Sequence, residues 1–328
     1  MPIQLIPPQP AEAMAEPKVS TGKESLFAGY KSRSVRAHLG RIYALCWNKN
    51  GDKLASASHD ETLKIWSCDG IHPSSIEQAL LECRGNKSVV ANLAWSPVEN
   101  DTLVSISADC KANFWDARSG NCVGTVNVGG SPIYLAWSPS AKDVAVVTKD
   151  DVIRTIDVRT RSVHAFKAFD YEINDVRWTL EGDHLLSLTG EGNLEVLRNP
   201  SLECSRKYSS HGRVARYLDV DPQGIFLATA GDDATLTVRS MSDLSWHGSY
   251  YEFDSAVRSI GFSHDASFLA FATEDEFIEI VEVEEMESVH EFKCRTPCVS
   301  IAWHPKESVM AYIGEEGGTF SFFSKSFS

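Results

Sequence analysis

The chain has 328 residues, 43% of them hydrophobic, a formal net charge of −14 and a pI near 5.2. That acidity argues against a surface that neutralises phosphate throughout, because nucleic-acid affinity comes mostly from clustered Lys and Arg; direct RNA binding by the folded part is expected to be weak. No apolar run reaches the roughly 18 residues of a membrane span, so no membrane role is expected, and the composition fits a globular protein with a large core.

The N-terminal stretch MPIQLIPPQPAEAMAEPKVSTG is rich in Pro and Ala and lacks the basic start and apolar core of a signal peptide. A disordered tail is predicted over residues 1–24. Beyond it one phrase recurs: IYALCWNKNGDKLASASHDETLKIW at 42–66, VANLAWSPVENDTLVSISADCKANFWD at 90–116, PIYLAWSPSAKDVAVVTKDDVIRTID at 132–157, INDVRWTLEGDHLLSLTGEGNLEVL at 173–197, then copies at 215–239, 257–281 and 298–323. The bulky residues ending the first run, Trp47, Trp95, Trp137, Trp178, Val220, Phe262 and Trp303, are separated by 48, 42, 41, 42, 42 and 41 residues. Each copy reads as three strands divided by turns rich in Pro, Gly and Asp. A short apolar segment between copies, such as NCVGTVNV or RSVHAFKA, supplies a fourth. Seven units of four strands predict an all-β fold, a seven-bladed β-propeller over residues 25–328. The last copy is one strand short. The segment SLFAGYKSRSVRAH at 25–38 is placed to supply it, closing the ring and removing its open edges.

The dipeptide Trp115-Asp116, with DETLKIW and ADCKANFWD, resembles the WD40 family, and the likeness runs from residue 25 to the end. In the other copies the position of the WD tryptophan falls to Ile156, Leu197, Arg239, Val281 and Phe322, and Ala141 and Ala266 stand where the turns often carry Gly. The spacing of His38, Ser56, Asp60 and Trp66 invites comparison with a Ser-His-Asp nucleophile, but no oxyanion donor or accessible hydroxyl is marked. The WD40 resemblance implies instead that these four form a structural hydrogen-bond network, with Asp109 and Trp115 as its remnant in copy two, where Arg84-Gly85-Asn86 lacks the His, and His211 and Asp233 in copy five. No P-loop, dinucleotide fingerprint or HExxH is present, and the eight cysteines show no zinc-ligand spacing. A non-catalytic chain without metal or cofactor is the expectation.

The same resemblance implies that the residue before each turn Asp and the residue four before each strand-ending Trp rim the channel mouth. These are His59, Lys149, Asp232 and Glu274, and Tyr43, Asn174, Arg216 and Arg258. Tyr43, Lys149, Arg216 and Arg258 are the candidate partner-binding residues. The basic run RKYSSHGRVAR at 206–216 is read as a solvated loop rather than an RNA contact. The acidic stretch 274–287 should divide between two opposite rims about 20 Å apart, since a strand rises roughly 3.3 Å per residue.

WSPSAKDVAVVTKDDVIRTIDVRT, VRSIGFSHDASFLAFATEDEFIEIVEVE, WDARSGNCVGTVNV and IAWHPK resemble the branch of the family that serves the THO transcription-and-export complex. That likeness implies a nuclear scaffold whose partners are other THO subunits and, indirectly, a DEAD-box RNA helicase, an mRNA export adaptor and mRNA. The alternative is another WD40 adaptor, associated with histones and chromatin or with a ubiquitin ligase.

Overall fold

Seven sheets succeed one another along the chain in its computed structural model, which describes residues 5–6, 26–68, 76, 78–314 and 317–325. Each sheet carries four antiparallel strands in up-and-down order. Their first strands, Ile42–Trp47, Val90–Trp95, Pro132–Trp137, Ile173–Trp178, Ala215–Val220, Val257–Phe262 and Ile301–Trp303, pack side by side, the seventh against the first. The ring is therefore closed and the sheets are blades 1 to 7.

The second strands, such as KLASAS, TLVSIS and DVAVVT, are buried at five of six positions. A blade sandwiched between neighbours buries both faces, so these strands are buried continuously rather than in alternation, with Ser56, Ser58, Ser105 and Ser107 buried among the apolar residues. The outer strand of blade 3, SVHAFKA, alternates between exposed and half-buried residues because only one of its faces meets protein. The core is accordingly a circle of clusters between adjacent blades, with Trp66 against Val35 and Phe320 across blades 7 and 1, and Trp115 against Ala55 and Leu63 across blades 1 and 2.

Blade 7 takes its outer strand from the N-terminal side. Tyr30–Arg36 pairs antiparallel with Thr319–Lys325, from Tyr30 opposite Lys325 to Arg36 opposite Thr319. Phe27, with no exposed surface, anchors this strand between blades 6 and 7, its ring centroid 5.2 Å from that of Phe268 and 6.1 Å from that of Phe323. Leu5–Ile6 runs parallel to the outer strand of blade 4, opposite Lys207 and Tyr208. The rest of the tail expected over 1–24 lies outside the described residues.

One assignment changes with the register. In blade 1 Leu54 faces Trp66, whereas in blade 7 the corresponding Met310 faces Phe323. Phe323, not Phe322, therefore holds the WD tryptophan position and packs against blade 6. A one-residue slip exchanges the two faces of a strand, and an FSFF run contains too little pattern to reveal it.

The turns after the first strands share a left-handed residue. It is Gly51 in blade 1, Gly182 in blade 4 and Gly224 in blade 5, but Ala141 (φ 55°) in blade 3 and Ala266 (φ 60°) in blade 6. At Gly51 a side chain is also excluded by space, since a Cβ would lie 2.0 Å from His304 Nε2 where blade 7 meets blade 1.

Candidate functional site

In blade 1, His38 is buried at the turn that enters the first strand. Its Nε2 lies 2.7 Å from Ser56 Oγ, and the Trp66 indole N–H donates to the same hydroxyl over 3.0 Å. On the other side of the ring Nδ1 is 3.0 Å from Asp60 Oδ2 and 3.1 Å from Thr62 Oγ1. Asp60 also accepts from the backbone N–H groups of Leu39 and Thr62. The arrangement that satisfies every atom has Nδ1–H donating to Asp60 and Nε2 accepting from Ser56. Burial lowers the His38 pKa, outweighing the opposing influence of Asp60, and keeps the imidazole neutral. Burial alone would raise the Asp60 carboxyl, but the Thr62 hydroxyl, His38 and the two N–H groups hold it at about 2. Ser56 has no exposed surface. Its hydroxyl is a relay inside a satisfied network rather than a nucleophile facing solvent.

Blade 5 repeats the network with changed members. His211 Nε2 is 2.9 Å from Thr229 Oγ1 and its Nδ1 is 3.1 Å from Asp233 and 3.0 Å from Thr235. Burial pushes the Asp233 carboxyl up, yet His211, Thr235 and the Gly212 N–H hold it at about 2. Arg239, in the tryptophan position, turns away to the carbonyls of Ser209 and Leu244 and lies over the Tyr208 ring. In blade 2 Trp115 donates to Ser105 over 2.9 Å, and Asn86 replaces the His, accepting from Asn113 over 2.8 Å. Asp109 stands apart from that group. Its Oδ2 accepts from the Lys87 N–H and its Oδ1 is buried without a partner among the described residues. Grouping Asp109 with Trp115 is thus corrected: Asn86 still reaches the strand, accepting from Ser105 over 3.4 Å, but its Nδ2 is buried without a partner among the described residues, so the link that an imidazole makes to the turn carboxylate is missing. The members that sequence reading missed, Thr62 and Thr235, carry a D-x-T signal two residues after each turn Asp.

The rim positions have a common cause. Each first strand of blades 1 to 6 is irregular after its first residue, for example between Ile42 and Ala44 and between Ala215 and Tyr217. The extra residue, Tyr43 in blade 1, Asn174 in blade 4, Arg216 in blade 5 and Arg258 in blade 6, is a β-bulge, and Tyr43, Arg216 and Arg258 point their side chains toward the turn between strands two and three. Tyr43 faces His59 with ring centroids 6.4 Å apart and carries the Arg41 guanidinium 5.8 Å above its ring. Arg216 forks onto Asp232, and Arg258 pairs with Glu274. Asn174 is buried and donates to the Ala215 carbonyl of blade 5. Lys149 is exposed. The four candidate residues share a face but stand on blades 1, 3, 5 and 6, and two of them are already paired with carboxylates. The acidic stretch also divides, with Glu274 and Asp275 held by Arg258 and Ser255 at the mouth, and Glu279 buried in mid-strand beneath the Tyr250 hydroxyl at 2.6 Å.

Deeper in the ring, blades are sewn by two devices. The indole N–H of Trp47, Trp95, Trp137 and Trp178 donates to Ala302, Cys46, Ala94 and Ala136, each the carbonyl preceding the strand-ending residue of the blade before. Val220 and Phe262 have no such donor, and Trp303 Nε1 is buried without a partner among the described residues. At these three junctions a side chain of the preceding blade accepts a backbone N–H instead: Asp175 from Leu218 over 3.1 Å, Asp219 from Phe262 over 3.0 Å and Ser259 from Ile301 over 3.0 Å. Arg177 sits between the two carboxylates, 2.6 Å from Asp175 and 3.7 Å from Asp219. Burial drives the Asp175 carboxyl up to about 6 despite that guanidinium.

Two family models match the chain. The WD domain, G-beta repeat, covers residues 29–67, and the anaphase-promoting complex subunit 4 WD40 domain covers residues 221–306. THO complex subunit 3 of Arabidopsis thaliana is 33% identical over 291 residues, 88% of this chain and 91% of that protein. The WD repeat-containing protein AAC3 of Dictyostelium discoideum is 27% identical over 310 residues, 88% of this chain and 63% of that one. Among solved structures, the Cps50 (Swd1) β-propeller domain of Myceliophteria thermophila superposes with a TM-score of 0.79 at 19% identity, over 89% of this chain and 98% of that one, a likeness of fold alone. With a relative above 30% identity matched along nearly its whole length, the chain belongs to the WD40 β-propeller family of THO complex subunit 3.

Proposed function

We propose that the chain is a non-catalytic scaffold subunit of a THO/transcription-export complex in the nucleus, supporting co-transcriptional packaging of mRNA and its export. The observation that carries this reading is the 33% identity to THO complex subunit 3 across 88% of this chain and 91% of the relative. The buried Ser56 and its spent hydroxyl support a scaffold rather than an enzyme. On this reading the partners are other THO subunits, with a DEAD-box helicase, an export adaptor and mRNA reached through them. The bulge face carrying Tyr43, Lys149, Arg216 and Arg258 is a docking surface for one such subunit. Recovering THO subunits with the tagged protein from nuclear extract supports the reading. A quadruple Ala variant at those four positions that remains folded and copurifies at the wild-type level in high salt removes the face from it.

A second reading, an adaptor for a ubiquitin ligase, rests on the match of residues 221–306 to a WD40 domain of the anaphase-promoting complex. Recovery of ligase subunits in place of THO subunits selects it.

A further inference from the structure

In a chain of net charge −14, residues 25–51 contain Lys31, Arg33, Arg36, Arg41 and Lys49 and no carboxylate. Three of these cations lie on the ring-closing strand Tyr30–Arg36, where Lys31, Arg33 and Arg36 are exposed and enter no ion pair among the described residues. Elsewhere Lys53, Arg118, Arg216 and Arg258 each meet a carboxylate. Charge on an outer strand is a recognised defence against edge pairing, but the outer strands of blades 2 and 5, NCVGTVN and WHGSY, carry no Asp, Glu, Lys or Arg. Where outer strands do carry charge in blades 1 and 6, LECR and ESVHEFK, both signs are mixed, whereas Tyr30–Arg36 carries three cations and no carboxylate, a bias that edge defence alone does not require.

The second observation is Leu39, whose surface is 92% exposed, between Arg36 and Arg41 at the seam of blades 7 and 1. It is held rigidly, because its N–H donates to Asp60 Oδ2 over 3.0 Å within the His38 network. Only the backbone does this work. Gly212 and Lys87 make the equivalent bond to Asp233 and Asp109 at the same turn of blades 5 and 2. The side chain at this position is therefore not needed by the turn, and the Leu39 aliphatic group stands fully presented to water on a hydrogen-bonded backbone beside the cations of the strand.

We infer that Leu39, flanked by Arg36 and Arg41, is the anchor of a protein-docking seam that takes an acidic segment with an apolar residue from a partner protein. Two guanidinium groups that enter no ion pair among the described residues, Arg36 and the Tyr43-stacked Arg41, select carboxylates around the apolar contact, and such charge arrangement sets partner choice and encounter rate. The most exposed group of the seam is aliphatic and the Tyr43 face is occupied by Arg41, so bases find no stacking platform here. This seam deepens the scaffold reading above, on which it rests for its setting, by naming the chemistry of the bound segment.

The test uses the full chain and a fluorescein-labelled peptide of sequence EDLEDLED, with poly(U) RNA as competitor. Leu39→Ser and Arg36→Gln/Arg41→Gln should each weaken peptide binding at least tenfold with unchanged melting temperature. Leu180→Ser, an exposed leucine on the opposite rim, should leave binding intact. Absence of peptide binding to wild type, equal binding by all variants, or loss only in the arginine variants with equal displacement by poly(U) overturns the proposal. So does a wild-type dimer in sedimentation that Leu39→Ser dissolves, since the seam then serves a second copy. Copurification of the same variants separates the two ideas. Wild type without THO subunits refutes the assembly assignment alone, whereas THO subunits recovered equally by wild type and Leu39→Ser refute the seam.

Discussion

Replacing Trp137 and Trp303 by Phe, one at a time, tests the indole belt. Both indoles are nearly buried, at 9% and 8% exposure, and both end the first strand of a blade. The loss of ring volume is thus common to the two variants and cancels in their difference. Trp137→Phe also removes a 3.0 Å bond to the Ala94 carbonyl, worth about 1 kcal/mol net. Trp303→Phe removes a buried N–H that has no partner among the described residues and relieves a desolvation cost of about 1–3 kcal/mol. Trp137→Phe should therefore be the more damaging by about 2–4 kcal/mol. At roughly 2–4 °C per kcal/mol for domains of a few hundred residues, that is a gap in melting temperature of about 4–16 °C. Guanidinium unfolding followed by fluorescence, with thermal scans at one fixed rate, measures it. Equal losses in the two variants, or a larger loss at Trp303, would refute the belt.

Asp219→Ala leaves the Phe262 N–H unpaired and takes one carboxylate from Arg177; a loss of about 2–3 kcal/mol is expected, with faster amide exchange across 257–262, and Ser300→Ala should cost less because Trp47 also sews its junction. Acidification should destabilise the ring in two steps. His38 has a lowered pKa in the fold, so below pH about 6.5 the unfolded state takes up a proton that the buried imidazole refuses. Asp60 and Asp233 are held at about 2, so their stabilisation is complete above the ordinary value near 3.8 and fades as pH falls toward 2, about 1–2 kcal/mol each. Asp175, raised to about 6, takes up a proton in the fold over the same range and offsets this loss, so the first step is read as the change in the midpoint difference between wild type and His38→Asn from pH 7 to pH 5, and a constant difference would contradict it. Ala141→Gly should raise stability by about 0.5–1 kcal/mol, because Ala141 is held at φ 55°; a decrease in a denaturant titration would show that the turn is not strained. Deleting residues 26–36 removes the outer strand of blade 7 and Phe27, and an unchanged melting temperature would count against closure by that strand.

The network of blade 1 was legible because its members are polar residues at repeated offsets from a strand-ending Trp, and a repeat of 41 to 48 residues exposes them. Blade 2 hid its version, since Asn86 in place of His leaves no pattern to align while Asp109 keeps one that it no longer uses. Partner candidates were chosen by face, which the repeat specifies. Whether Arg216 and Arg258 are free on that face depends on Asp232 and Glu274 across a bulge, and here they are not free.

The sequence by itself determined seven units, four strands in each, the closing role of residues 25–38 and the family resemblance, because alternation, turn residues and periodicity are local properties that survive without any tertiary contact. Only the tertiary structure decided which of two adjacent phenylalanines faces blade 6, which blades are joined by indoles and which by Asp175, Asp219 and Ser259, and that Leu39 is held out of the core while its backbone serves it. The reason is physical. Register, hydrogen-bond choice and exposure are settled between blades, by side chains roughly 42 residues apart, and a repeat brings such residues together without stating which of them will meet.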